Sequence, residues 1–460
     1  MLEMFEGRAV LTRRSELLPD EEGTDSRGEL YRLVEKCAPL VTVVSAGLLL
    51  WTLLSDVASQ QTWPDHEVYR RAVHAWISGG EVLTSHAPVS NDGPLPWVYP
   101  PFALLPLTPL AVLPLKLDIT LLYLVNVVAL VGTLYLVLRR AVPRLGGRTA
   151  LAVAVVAAQS CLLIDPVANS FGQGQINIVL MGLVAFDCLV STPRWPRGML
   201  IGTAAAVKLV PAAFVLLFLV RGNFRAVSSV VATFLGATLS GFVVDFGASM
   251  DYWFGQGPAA AAFGSPLRGN QSVLAVLSRT DLEPTARFVG WIVLCLLLAA
   301  ATAYCAHRGS TPLAVTTIGV FSLLVSPTAW SNHWVWIVPA ILLMIVHGLL
   351  DRGFPWLFAA VASILVIRAA PYTDLPAERD SMVELGVLEQ LSAASYVLLG
   401  AGLVLALLVT LLAHDVSAGE PPWRNRGAAP APTGHLGPSP ARLSGAPAPP
   451  QREVEPTSSR

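Results

Sequence analysis

Between Ala38 and Ala413 the chain is built from apolar runs long enough to cross a bilayer, and this repetition constrains the fold more than any other feature. A hydrocarbon core takes about 20 residues of helix to span, and backbone exposed to lipid must be helical or closed into a barrel. The runs lie near 38–55, 119–138, 149–165, 174–190, 226–245, 287–306, 311–325, 334–350, 355–370 and 395–413. Two further stretches, 100–115 and 199–220, are broken by proline or carry Lys208, and are read as full spans or re-entrant pieces. Composition agrees: 54% of residues are hydrophobic and 13% charged, where a soluble domain carries about 25% charged residues. The expected fold is an all-α polytopic membrane bundle of about 10–12 spans, with re-entrant and interfacial helices in its external loops.

Residues 1–36 are polar and of mixed charge and read as an N-terminal cytoplasmic tail. Residues 415–460 are rich in Pro, Ala and Gly, cannot bury a core, and are expected to be a disordered cytoplasmic tail. Residues 37–414 form the membrane domain between them. The first apolar run begins only near Ala38, which reads as an uncleaved anchor rather than a cleavable signal. A net charge of -1 gives no support for nucleic acid as a partner. The five cysteines (37, 161, 188, 295 and 305) form no CxxC and have no histidine at ligand spacing, so they read as inert thiols with neither metal nor disulfide.

Basic residues orient the bundle. Arg139, Arg140, Arg144 and Arg148 share one short loop, and Arg194 with Arg197, Arg221 with Arg225, and His307 with Arg308 mark others. The positive-inside rule puts these loops in the cytoplasm, makes both ambiguous stretches re-entrant or interfacial, and sends 56–98, 166–173, 246–286, 326–333 and 371–394 to the external face.

The polar chemistry sits in those external segments. "WPDHEVYRRAVHAW" (63–76) carries apolar positions Val68, Tyr69, Ala72, Val73 and Trp76 at three- and four-residue spacing, an amphipathic helix at the membrane surface. Asp65 at its start either caps the helix or projects freely. "WVYPPFALLPLTPLAVLPL" (97–115) has too many prolines for a regular helix and reads as a bend or a cavity wall containing Tyr99. "NSFGQGQINIVL" (169–180) presents Gln173, Gln175 and Asn177 at a helix start, with Gly172 and Gly174 allowing close backbone approach. Side-chain amides both donate and accept, which suits hydroxyl-rich ligands. Lys208 lies among apolar neighbours three residues before Pro211. An intramembrane lysine costs about 2.5–3.5 kcal/mol even on lenient scales and points to an anionic partner or to snorkelling. "SPLRGNQSVL" (265–274) offers Arg268, Asn270 and Gln271, and "SPTAWSNHWVW" (326–336) offers Trp330, Asn332, His333 and Trp334. No P-loop, dinucleotide fingerprint, HExxH or GxSxG occurs in a supporting context, which argues against nucleotide-driven pumps, dehydrogenases, zincins and serine hydrolases.

Taken in order, an Asp in the first external loop, "YPP", "GQGQIN", an intramembrane "KLVP", "GNQS" and "SPTAWSNHWVW" resemble the GT-C glycosyltransferases. The resemblance is to family 87, the actinobacterial polyprenol-phosphate-mannose-dependent α-mannosyltransferases, and it covers about residues 38–412. It implies a multi-pass plasma-membrane hexosyltransferase with a GT-C-like bundle and a periplasmic active site. The donor is a polyprenyl-phosphate mannose and the acceptor a mannosylated glycolipid or lipoglycan, with inversion at the anomeric carbon. The lipid-linked donor is a substrate, so no cofactor or metal is expected. The family's catalytic carboxylate falls on Asp65, although Glu67 lies only two residues on. Lys208, His333 and Arg268 are expected at the donor phosphate. His66, Tyr69, Tyr99, Gln173, Gln175, Asn177, Asn270, Gln271, Trp330 and Trp334 are expected at the sugars. His66 is a departure, because the family often has an apolar residue after the Asp. The rival readings are an arabinose donor, a transporter or lipid flippase using Lys208, and a non-catalytic envelope scaffold.

Overall fold

The structure is a computed structural model, and it describes residues 23–83, 95–255, 263–350, 353–376 and 385–417. The bundle lies in the unit Met1–His414, and of the unit Asp415–Arg460 only the end of a helix, through Ser417, is described. Of the tails expected over 1–36 and 415–460, residues 23–36 and 415–417 are helical, as ends of the first and last helices, and the remainder lies outside the described residues.

Among the described residues the fold is helical throughout. In chain order come α1 (Gly23–Ser59), α2 (Pro64–Ile77), α3 (Leu104–Ala111), α4 (Leu115–Ala141), α5 (Gly147–Cys161), α6 (Asp165–Gly172), α7 (Asn177–Leu189), α8 (Met199–Val207) and α9 (Val215–Val220). There follow α10 (Phe224–Val244), α11 (Phe246–Phe254), α12 (Val273–Ser278), α13 (Pro284–Arg308), α14 (Thr311–Val325), α15 (Ile337–Leu350), α16 (Phe354–Ala369), α17 (Val387–Ala393) and α18 (Ser395–Ser417). Short 3-10 turns at Pro101–Ala103, Val210–Phe214, Ser331–Trp336 and Pro371–Asp374 lead into or join them. Seven helices among the described residues are long and apolar enough to cross a membrane, or up to eight if the pair α5–α6, bent by 76°, is one span. Shorter apolar helices of 10–17 residues fill the bundle between them. The protein is a multi-pass membrane protein.

Burial follows this plan. Helix α14 is buried along most of its length, whereas α10 and α13 leave Leu235, Leu239, Val243, Leu296 and Leu297 exposed. Such apolar faces belong against lipid rather than water. Small residues bring buried helices together: a Cβ on Gly182 of α7 would stand 2.8 Å from Ala129 of α4.

The stretch 199–220 enters the bundle and returns. Gly198, at the start of α8, donates to Asp187 near the end of α7. Lys208 then reaches Asn177 at the start of α7. The descending limb, through Val210–Phe214 and α9, ends where Arg221 donates to Thr311 and to the carbonyls of Ala306 and Gly309. Lys208 is therefore the apex of a re-entrant hairpin. The same contacts gather basic clusters at the end opposite that apex: Arg140 donates to Leu189, Arg197 to Asp187 and Val190, and His307 meets the Val220 carbonyl.

The proline-rich stretch differs from expectation. It folds as a 3-10 turn and two turns of helix, with Pro109 inside α3. Trp97, Ala103 and Leu104 are fully buried, so the stretch is a packed support beside α2, α4 and α10. The cysteines are all free among the described residues; Cys188 and Cys305 are buried, and Cys37 is exposed on α1.

Candidate active site

Helix α2 starts without a side-chain cap. Its N-cap is Trp63, followed by Pro64 in the first turn, where proline's missing N–H is no loss. Trp63 is fully buried and donates from Nε1 to the Tyr123 hydroxyl at 2.9 Å. The first-turn amide of His66 donates to the Gln173 carbonyl at 3.1 Å. Asp65 is thus not the cap of its helix, and its carboxylate is free to turn inward.

It turns toward two amides. Gln175 Nε2 donates to Asp65 Oδ2 at 2.6 Å, and Asn332 Nδ2 approaches the same oxygen at 3.4 Å. Gln175 is oriented by its other end, where Oε1 accepts from the Tyr69 hydroxyl at 2.9 Å and lies 3.5 Å from that of Tyr99. Burial holds both phenols above their ordinary range, so they remain donors. Two O–H groups on the carbonyl side leave the Gln175 NH₂ facing Asp65. Burial also holds the half-buried Asp65 carboxyl above the usual carboxylate range, against the opposing pull of the Gln175 amide, the Lys208 charge and the Asn332 amide.

The turn that carries Gln175 explains "GQGQ". Gly174 has φ +69, and a Cβ there would stand 2.6 Å from His66 Cβ. It needs glycine for both conformation and approach. Gly172 has open space around it, and its carbonyl accepts from Gln60.

A second polar cluster adjoins the first. Asn177 Nδ2 donates to the Asn332 carbonyl at 3.1 Å, and its Oδ1 accepts from Lys208 Nζ at 2.9 Å. Lys208 Nζ also lies 3.0 Å from His333 Nε2 and 5.3 Å over the Tyr99 ring. With Nε2 accepting from the ammonium, the ring proton is assigned to Nδ1. His333 Nδ1 and Asn332 Oδ1 are buried with no protein partner among the described residues, a sign that a ligand or water completes their bonding. A continuous path, Asp65–Asn332–Asn177–Lys208, therefore joins carboxylate to ammonium. Beyond Lys208 opens a groove with apolar walls that include Leu180, Met181, Val184, Phe214, Leu323 and Trp336. A cation at the head of an apolar groove fits an anionic headgroup on a hydrocarbon tail. Among the described residues no three His, Cys, Asp or Glu side chains converge on a possible metal position.

Several expected residues lie elsewhere. His66 is buried beneath α2, with Nε2 2.7 Å from Asp118 Oδ2. Asn270 and Gln271 are fully buried and serve the backbone: Asn270 bonds Ser265 and Ala329, and Gln271 bonds Arg268, Ala393 and Tyr396. Trp334 is buried with Nε1 on the Gln271 carbonyl, so it offers no stacking face. Arg268 donates to the carbonyls of Thr373 and Leu375 and pins that segment. Trp330 is half-buried against Gly269. Gln173 is half-buried and meets α2 through its carbonyl.

Other polar groups within the bundle escaped the sequence reading. Asp165 accepts from the hydroxyls of Tyr372 and Tyr396 at 3.1 and 2.9 Å. Arg279, 1% exposed, donates to the carbonyls of Pro266, Leu267, Asn270 and Ala393. Asp118 is fully buried between His66 and Arg70. A charge interrupting an apolar run was the available signal for Asp165, in "LLIDPVANS", and for Asp118, in "PLKLDITLL".

A carboxylate and an ammonium share one amide-lined chamber at the head of an apolar groove in a multi-pass bundle, an arrangement suited to a membrane enzyme acting where lipid meets polar substrate. The comparisons narrow the class. Residues 97–327 match glycosyltransferase family 87. A polyprenol-phosphate-mannose-dependent alpha-(1-2)-phosphatidylinositol mannoside mannosyltransferase of Mycobacterium tuberculosis is 31% identical over 414 residues, 86% of this chain and 94% of that protein. One of the same description from Mycolicibacterium smegmatis is 33% identical over 383 residues, 78% of this chain and 86% of its own. A phosphatidylinositol pentamannoside mannosyltransferase of the latter organism is 29% identical over 70% of this chain and 80% of its own. No solved structure matches the chain. The chain belongs to glycosyltransferase family 87, and it is a membrane glycosyltransferase.

Proposed function

We propose that this enzyme transfers mannose from a polyprenyl-phosphate donor to a hydroxyl of a phosphatidylinositol mannoside, forming an α-(1-2) linkage, with Asp65 as general base. The observation that carries the reading is the hydrogen-bonded path from Asp65 to Lys208 at the head of the apolar groove. The relatives' names supply the mannosyl donor and inositol-mannoside acceptors, and favour a hexose over a pentose. Family membership favours transfer over transport.

In this mechanism the acceptor oxygen attacks C1 of mannose as its proton passes to Asp65. The C1–O bond to phosphate breaks, its electron pair stays on the phosphate oxygen, and the configuration at C1 inverts. General-base help of this kind contributes on the order of 10²–10⁴-fold. Lys208, with Asn177 and His333 beside it, meets the charge that develops on the leaving phosphate, and the polyprenyl chain lies along the apolar groove. Asn332 Oδ1 and His333 Nδ1 accept from and donate to a sugar hydroxyl or the phosphate.

The chamber lies at the end of the bundle away from Arg140, Arg197, Arg221 and His307, and the positive-inside rule therefore faces it to the periplasm. The decisive experiment measures mannose transfer by purified Asp65→Asn with polyprenyl-phosphate mannose and a phosphatidylinositol mannoside acceptor. The expected loss is on the order of 10²–10⁴-fold; wild-type turnover removes Asp65 from the role of base.

A further inference from the structure

Beneath the base lies a charged cluster outside the path from Asp65 to Lys208. Asp118 stands in the first turn of α4 and is fully buried, and one of its oxygens, Oδ2, accepts from His66 Nε2 at 2.7 Å and Arg70 Nη1 at 2.6 Å. Arg70 Nη1 also reaches the Leu113 carbonyl at 2.8 Å. His66 and Arg70 are four residues apart, so one face of α2 presents both to a single carboxylate. His66 directly follows Asp65.

A carboxylate in this position is a poor choice for stability alone. Removing it from water is expensive, and apolar side chains of similar volume hold helices together as well or better. What the charged pair adds is direction. Two donors one helical turn apart, converging on one oxygen, fix the rotation of α2 about its axis as apolar contacts do not. A one-residue slip in that rotation turns a side chain by about 100°, which takes Asp65 away from Gln175 and Asn332. The surroundings reinforce the anchorage: Lys116, two residues before Asp118, donates to the carbonyls of Val57 and Gln60 ahead of α2, and Gly174 lets the α6–α7 turn close on His66.

We propose that Asp118 is a positioning residue for the base: through His66 and Arg70 it sets the rotation of α2 and so aims Asp65 at the acceptor hydroxyl. The inference rests on Asp65 being the base, and its test separates the two ideas. Steady-state kinetics of full-length Asp118→Asn are expected to show kcat lowered by about 10–100-fold, the scale of a small misplacement of a reacting group, with KM for polyprenyl-phosphate mannose nearly unchanged. In the Asp65→Asn background the same substitution is expected to cost nothing further, because a residue acting through another has no effect once that other is gone. An unchanged kcat, or a full additional loss in the double variant, overturns the positioning role. Activity persisting in Asp65→Asn overturns the base assignment instead. If Asp118→Asn does not fold, His66→Ala and His66→Gln decide: only the glutamine keeps an N–H for Asp118, so it should restore the kcat that alanine loses. Equal kcat for the two, both folded by thermal melting, overturns the proposal.

Discussion

Gln175→Met tests how the chamber is wired. Gln175 is 3% exposed, and methionine matches its length and fills its space without polar atoms, so the packing around it changes little. Tyr69 and Tyr99 keep each other as partners, their hydroxyls being 3.0 Å apart. The principal loss is the 2.6 Å bond to the Asp65 carboxylate. A hydrogen bond to a charged group contributes about 1.5–3 kcal/mol, which is roughly a 10- to 150-fold change at about 1.4 kcal/mol per tenfold.

The direction follows from the protonation state the bond favours. The Asp65 carboxyl is already held above the usual range by burial, and the Gln175 amide is the strongest of the groups pulling it back down. A general base acts only when ionised, so activity rises with pH through the folded-state pKa. Removing a donor that favours the ionised form moves that acid limb to higher pH. Measured as mannose transfer to a phosphatidylinositol mannoside across the acid and neutral range, Gln175→Met should lose most activity on the acid side and recover part of it as pH rises. The unrecovered part measures lost orientation of the carboxylate. If Gln175 instead binds a sugar hydroxyl, KM for a substrate rises while the acid limb stays in place, and that outcome refutes the wiring.

Lys208→Met should lower transfer by at least tenfold and weaken competition by free polyprenyl phosphate, while the acceptor KM changes little; equal effects on donor and acceptor would leave Lys208 a structural role. Orientation is checked by labelling in a cysteine-free background. Ser78→Cys, exposed after α2 at the chamber end, should react with a membrane-impermeant maleimide in spheroplasts, and Arg144→Cys, exposed at the basic end, should react only after lysis; the reverse pattern inverts the orientation.

The helices were legible because an apolar run is a one-dimensional signal: α1, α4, α10, α13 and α18 cover the runs seen in the sequence. The buried stripe of α2 was legible from its three- and four-residue spacing. Lys208 was legible because a charge among hydrocarbon needs a reason. The roles of the amides were not. Asn270 and Gln271 sit in a motif as polar as "GQGQIN", but they meet backbone groups far along the chain: the Ala329 N–H donates to Asn270, and the Ala393 carbonyl accepts from Gln271. An amide serves a backbone carbonyl as readily as a sugar hydroxyl, and residue type does not say which is near. The same holds for His66, whose partner Asp118 lies 52 residues on.

The re-entrant apex gives the chamber its electrostatic order. Helix α8 ends at Val207, so its carbonyl-rich, partially negative end lies beside Lys208 and favours the ammonium. Helix α7 begins at Asn177, so its partially positive end faces the same point and favours an anion. An unbroken helix through 199–220 would carry Lys208 without the first effect, its carbonyls engaged four residues on. The break at Lys208, extended at φ -153 and ψ 126, ends α8 beside the start of α7. Asp65, meanwhile, stands in the first turn of α2, where the helix dipole opposes its protonation while burial favours it. In the proposed reaction a negatively charged donor headgroup is drawn to Lys208 and the start of α7, and the carboxylate proposed to take the proton sits apart from it, across Asn332. Holding these two charges on separate helix ends keeps the lysine from being consumed in an ion pair with the base, and leaves it available to a phosphate.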